Sequence, residues 1–167
     1  MSIRALLALC VAVGLATQVP AQFRDRNFGK SHLPRDQGGT NAAVLGDVDG
    51  DGHLDLVLGN HYRVSLSLYL GDGAGRFREA AKGQVPVTED SVAAVALGDV
   101  DGDGDLDMAL GMGLSALPCR LYLNDGKGTF ADGTAGRMPT GTDFTSVLAL
   151  KDVDGDGDLD LVCGRYY

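Results

Sequence analysis

The sequence predicts an all-β fold, and three features lead to it. A block of apolar residues closed by an aspartate-rich loop returns three times. Its first aspartates, Asp47, Asp99 and Asp152, stand 52 and then 53 residues apart. Glycine fills 25 of the 167 positions, about twice the average usage of roughly 7%, which favours tight turns over long helices. No segment carries a useful helical period. Val64, Leu66, Leu68 and Leu70 instead alternate with Ser65, Ser67 and Tyr69 in the two-residue period of a half-buried strand.

Length and composition agree with this. The chain suits one modest domain able to bury a real core. A hydrophobic content of 44% sets it apart from a disordered acidic tail. The formal net charge of −9 argues against a nucleic-acid binder, which needs a basic face.

From the N-terminus, Met1-Ser2-Ile3-Arg4 gives one positive charge, Ala5 to Ala16 is apolar, and Val19-Pro20-Ala21 has small residues at the spacing a signal peptidase reads. Residues 1–21 are expected to be a secretory signal peptide cleaved after Ala21. The protein would then be secreted, periplasmic or extracellular. The apolar run, about 12 residues, is short of the ~20 that span a bilayer. Leu9 before Cys10 does not suit a lipoprotein, and no later stretch is long enough to span a membrane.

Residues 22–39 form a strand-like N-terminal segment, in which Phe23 to Pro34 resembles Phe77 to Pro86 and Phe130 to Pro139. Residues 40–167 then hold the repeats, at about 40–90, 91–143 and, in part, 144–167. Each repeat reads as four short strands. The first is apolar and ends in the aspartate loop, as in Ser91 to Leu97. The second follows the loop, as in Asp55 to Leu58. The third is Val64 to Leu70. A glycine-rich hairpin, Gly71-Asp72-Gly73 or Asn124-Asp125-Gly126, leads to a fourth around Phe77 or Phe130. Four antiparallel strands recurring every ~50 residues are the signature of β-propeller blades, each burying its faces on its neighbours. A β-sandwich does not explain why the same loop returns in the same place.

The loops carry the chemistry. Asp47, Asp49, Asp51 and Asp55 form the pattern D-x-D-x-D-G-x-x-D. Asp99, Asp101, Asp103 and Asp107 repeat it, as do Asp152, Asp154, Asp156 and Asp160. Four carboxylates in nine residues repel one another unless a cation sits among them. Calcium, which takes 6–8 oxygens at about 2.3–2.6 Å in a flexible shell, suits them better than magnesium, which keeps its waters. Up to three calcium ions are expected. Alternate positions 1, 3 and 5 turn inward, and Gly52, Gly104 and Gly157 permit the sharp turn. Position 7, occupied by His53, Asp105 and Asp158, is expected to offer its backbone carbonyl, because its side chain differs in kind between copies. An EF-hand would need an acidic residue at position 12, where Leu58, Leu110 and Cys163 stand. Thrombospondin-type calcium repeats have shorter periods and many cysteines, and this chain has neither.

The stretches from Leu45 to Leu56 and from Leu121 to Phe130 resemble FG-GAP/VCBS repeats, the blades of integrin-alpha-like β-propellers. The resemblance covers about residues 40–164. It implies a seven-bladed propeller with calcium in loops between the first two strands of a blade, held by the aspartates just named. The FG and GAP tripeptides are not clear here, so the likeness is to the bacterial-type VCBS branch more than to integrins. About two and a half blades are present, whereas closure takes about 4–8. The chain is therefore expected to be a fragment, a truncated product or a piece of an assembly, with missing blades or a partner chain closing the ring. An N-terminal fourth strand would suit such closure by pairing with the last blade.

These features predict a calcium-stabilised binding or adhesion module with a protein or glycan ligand. Two other readings are weighed. The chain would be a catalytic or non-catalytic part of an exported polysaccharide-acting enzyme, or a lectin. The acidic residues are mostly committed to loops, and His32, His61, Asp90 and Asp143 are scattered, so no catalytic residue is assigned. Tyr62, Tyr69, Tyr122 and Tyr166 would stack on sugars in a lectin, but Tyr69 and Tyr122 hold equivalent strand positions that suit packing. Export would remove Cys10. Cys119 and Cys163 read as small buried hydrophobes, with a pairing between them left open. The three loops hold 14 of the 23 acidic residues, so the remaining chain is mildly basic.

Overall fold

The structure, a computed structural model, describes residues 39–61, 66–87, 90–113, 117–141 and 144–166. The expected signal peptide, the strand-like segment up to residue 38, Tyr62, Val64 and Asp143 lie outside the described residues.

The described residues form ten strands and no helix. They are β1 (Thr40–Gly46), β2 (Asp55–Asn60), β3 (Leu66–Gly71), β4 (Phe77–Glu79), β5 (Val92–Gly98), β6 (Asp107–Met112), β7 (Arg120–Asn124), β8 (Phe130–Asp132), β9 (Phe144–Lys151) and β10 (Asp160–Tyr166). Two four-stranded sheets run in the order β1-β2-β3-β4 and β5-β6-β7-β8, and β9 pairs with β10 in a third. Every pairing is antiparallel. These are the expected propeller-type blades, two with four strands and one represented by two. They do not close a barrel. Among the described residues no helix is long and apolar enough to cross a membrane.

The register repeats with the sequence. Gly46 pairs with Asp55, Gly98 with Asp107 and Lys151 with Asp160, so each aspartate loop caps the first hairpin of its sheet at the same point. Thr40/Ala42 and Val92/Ala94 mark the same irregularity in the first two sheets.

Successive sheets pack through their first strands, β1 beside β5 and β5 beside β9. Val57, Leu68 and Leu70 of the first sheet meet Val92, Met108, Leu110, Met112, Tyr122 and Phe130 of the second in one buried cluster. Glycine sets the closeness of approach. A Cβ on Gly46 would lie 2.7 Å from Leu97 Cδ1 and 2.9 Å from Leu106 Cδ1. One on Gly98 would lie 2.8 Å from Leu159 Cδ1 and 3.2 Å from Leu150 Cδ1. The same leucine pair thus seats on the same glycine at both junctions. In the first sheet the equivalent leucines, Leu45 and Leu54, are 53% and 58% exposed. They edge an open cleft that also touches His53, Asp72 and Phe77.

The third strand differs from its reading. Alternation predicted one wet face, but Leu68, Tyr69 and Leu70 are all buried. Leu68 and Leu70 enter the core, while Tyr69 packs with Leu56, Leu58 and Phe77 on the opposite face. Neighbouring strands of the same sheet bring Leu56, Leu58 and Phe77 over that face, so the strand's polar alternation does not report its burial.

Candidate metal centres

Each loop is shaped by its own carboxylates. Asp47 accepts the Gly50 N–H at Oδ1 (2.9 Å) and the Gly52 N–H at Oδ2 (2.9 Å). Asp99 accepts from Gly102 (2.8 Å), Asp103 (3.1 Å) and Gly104 (3.0 Å), and Asp152 from Gly155 (2.6 Å) and Gly157 (3.2 Å). Gly52, Gly104 and Gly157 have φ of +85°, +95° and +100°, so this turn demands glycine at position 6. Asp49 and Asp154 accept from Asp51 and Asp156, at 3.3 and 3.2 Å.

The ninth residue lies beneath the loop. Asp55 is fully buried and accepts the Val48 N–H (2.9 Å) and the Gly71 N–H (2.8 Å). Asp107, also fully buried, accepts the Val100 N–H (3.0 Å) and the Asn124 N–H (2.9 Å). Asp160 accepts the Val153 N–H (2.9 Å) and is half-buried, in the sheet that shows two strands. One carboxylate thus ties the loop to the start of the third-strand hairpin.

These folds gather positions 1, 3 and 9. Asp47, Asp49 and Asp55 each bring an oxygen within 4.8 Å of the other two, and so do Asp99, Asp101 and Asp107, and Asp152, Asp154 and Asp160. Asp51, Asp103 and Asp156 do not join these trios. They are exposed and hold the N–H of position 7, at His53 (2.8 Å), Asp105 (2.9 Å) and Asp158 (2.9 Å). His53 is exposed, and its ring covers Gly73.

Burial pushes the Asp55 carboxyl above its ordinary range, and the charges of Asp49 and Asp51 add to this against the two backbone hydrogen bonds. Asp107 is raised in the same way, with Asp101 and Asp103 contributing. Asp105 is raised by burial and then by four neighbouring aspartates, Asp103, Asp99, Asp125 and Asp101. Among the described residues no lysine, arginine or histidine forms an ion pair with a loop aspartate. The ion pairs present join Arg120 to Asp90 (3.3 Å) and to Asp132 (4.0 Å).

The donor set fits a hard dication. It is all oxygen and acidic, and oxygens on opposite sides of one calcium at ~2.4 Å stand about 4.8 Å apart. Asp47, Asp49 and Asp55 and their two counterparts would hold such an ion.

Residues outside the D-x-D-x-D-G pattern brace the loops. Asn124 donates from Nδ2 to the Val48 carbonyl (2.8 Å) and to the Leu106 carbonyl (3.1 Å), joining the loop of one sheet to that of the next. Sequence reasoning placed Asn124 in a turn, whereas it ends β7. The signal was present, since the first copy has Gly71 there. Asp72 and Asp125 each accept two backbone N–H groups within their hairpins, from Ala74 and Arg76 and from Lys127 and Thr129.

The other candidates do not gather. His61 is half-buried beside Gly39, Asp90 pairs with Arg120, and Tyr166 ends β10. Tyr69 and Tyr122 are 4% and 0% exposed, so they pack, as expected, and offer no stacking surface. His32 lies outside the described residues. Cys119 is buried and Cys163 half-buried, both as free thiols.

The chain matches the FG-GAP-like repeat family over residues 47–110 and 116–163, which take in all three aspartate loops. Among curated proteins, none matches it closely enough to stand as a relative.

Proposed function

The chain belongs to the FG-GAP-like repeat family, and on that premise we propose that it is a secreted, calcium-binding β-propeller repeat protein, a binding or adhesion module whose ions are structural. The observation that carries this reading is the threefold return of one carboxylate trio with no cationic side chain paired to it among the described residues. Each trio concentrates negative charge where the fold fixes the backbone. A bound dication offsets that repulsion and couples its own binding to folding. Asp51, Asp103 and Asp156 would complete the shell, together with the backbone carbonyls of His53, Asp105 and Asp158. No step of chemistry is asked of the ion.

Residues 1–21 support export, and an oxidising, calcium-rich exterior suits such sites. The exposed Leu45 and Leu54 support further blades or a partner chain on the first sheet, because their equivalents are covered at both internal junctions. The ligand is a protein or a glycan recognised by loops at one end of the blades.

The experiment is a thermal melt of the full chain in a calcium chelator, then after calcium is restored. The reading expects a lower melting temperature with chelator and recovery with calcium. Indifference to the chelator at neutral pH would contradict it.

A further inference from the structure

The two cysteines of the repeats come from different sheets and stand at one sheet junction. Cys119 stands immediately before β7, and its sulfur lies 3.4 Å from the Thr145 hydroxyl of β9. Thr145 is fully buried and pairs in register with Arg165 of β10. Cys163 is two residues from Leu161 on β10, and Leu161 lines one cavity with Ala109 and Leu121 of the second sheet, so strand alternation turns Cys163 toward that sheet. Both thiols thus stand at the junction of the second sheet with β9 and β10, and Cys119 is among the groups that act on the Cys163 thiol. Neither sulfur is in a disulfide.

We propose that Cys119 and Cys163 form an oxidative cross-linking site, whose disulfide ties the second sheet covalently to the third. The oxidant is a small-molecule disulfide. Cys163, the more exposed thiol, attacks one sulfur of the oxidant as its thiolate, and one small thiolate leaves. Cys119 then attacks the Cys163 sulfur of the mixed disulfide, and the second small thiolate leaves. The two protein thiols lose two electrons and two protons. The small disulfide gains the electrons, and its two thiols take the protons. Burial and the adjacent Cys119 hold the Cys163 thiol above its ordinary pKa, so the exchange is run in mildly alkaline buffer. The site stands on the packing of β7 against β9 and β10 and does not rest on the calcium reading.

The full chain, purified reduced, is treated with oxidised glutathione in native buffer and, in parallel, in denaturant. Free thiols are alkylated and the products mapped by mass spectrometry without reduction. The proposal expects one intramolecular Cys119–Cys163 peptide pair from the folded protein, with loss of both thiols. It expects pairings that include Cys10 from the denatured chain. It also expects a rise in melting temperature that dithiothreitol reverses, with and without calcium. Cys119→Ser should leave Cys163 as a stable glutathione adduct. A glutathione adduct on Cys163 of the unmodified chain with Cys119 unreacted, an intermolecular dimer, or a Cys10 pairing from the folded protein would each overturn it.

Discussion

At the residue scale, the loop aspartates divide into two kinds. Asp103 is exposed and holds one N–H at the loop surface, whereas Asp107 is fully buried and satisfies the Val100 and Asn124 N–H groups. Removing Asp107 leaves the buried Asn124 N–H and the part-buried Val100 N–H without their partner, at about 1–3 kcal/mol for a buried donor and less for the other. Asp107→Ala is therefore predicted to cost roughly 2–5 kcal/mol in urea unfolding even in chelator. Asp103→Ala should cost little in chelator and should act through the ion when calcium is present. The pH dependence follows the same division. Backbone hydrogen bonds hold Asp125 and Asp72 below the ordinary carboxylate range, led by those from Thr129 and Arg76. Their stabilisation is present above the unfolded pKa and is lost as pH falls through the folded one. Asp55 and Asp107 are raised, so their contribution is present below the unfolded pKa and is lost as pH rises through the folded one. The metal-free protein is predicted to be most stable near the ordinary carboxylate pKa of about 4. With calcium, where protons compete with the ion, stability should rise toward neutral pH. Melting temperatures against pH in chelator and in calcium check this, and parallel curves would contradict it. The spacing of the aspartates was legible in the sequence, and it named every member of the three trios. The second role of Asp55 and Asp107 was not. Their partners Gly71 and Asn124 lie 16 and 17 residues further on, where only the folded hairpin brings them close.

At the element scale, the strand hairpins were legible because their turn chemistry is local. Asp72-Gly73 and Asp125-Gly126 announce the turns that join β3 to β4 and β7 to β8. The burial of β3 was misread, because the second face is covered by residues from other strands that no local period reveals. Sheet junctions were not legible either. Gly46 and Gly98 read as strand ends, yet their missing Cβ atoms admit Leu97 with Leu106, and Leu150 with Leu159. Gly46→Val is predicted to destabilise by about 1–3 kcal/mol through overpacking. Gly52→Ala meets no atom within 4 Å but must keep φ near +85°, so it should cost about 1–2 kcal/mol through the backbone alone. Structures of the two variants separate the causes. The first should shift Leu97 and Leu106, and the second should leave the sheet junction unmoved.

At the scale of the whole molecule, the ~50-residue period carried the architecture, because each copy repeats the same first hairpin and register, and the first two copies repeat the same glycine seat. A cross-link between Cys119 and Cys163 would close a loop of about 44 residues and stabilise by about 4 kcal/mol in the chain-entropy account. Its effect should show as slower and later unfolding of the third sheet, β9 and β10, in hydrogen exchange. The net charge of −9 is concentrated in three loops, and three dications would offset six of those charges. The direct test is calorimetric titration of the metal-stripped full chain with calcium, repeated on a variant carrying Asp99→Asn and Asp101→Asn. Saturable binding of up to three ions, with one site lost in the variant and the others retained, is the predicted result. No saturable binding, or the same stoichiometry in both proteins, would contradict the assignment of these loops as calcium centres.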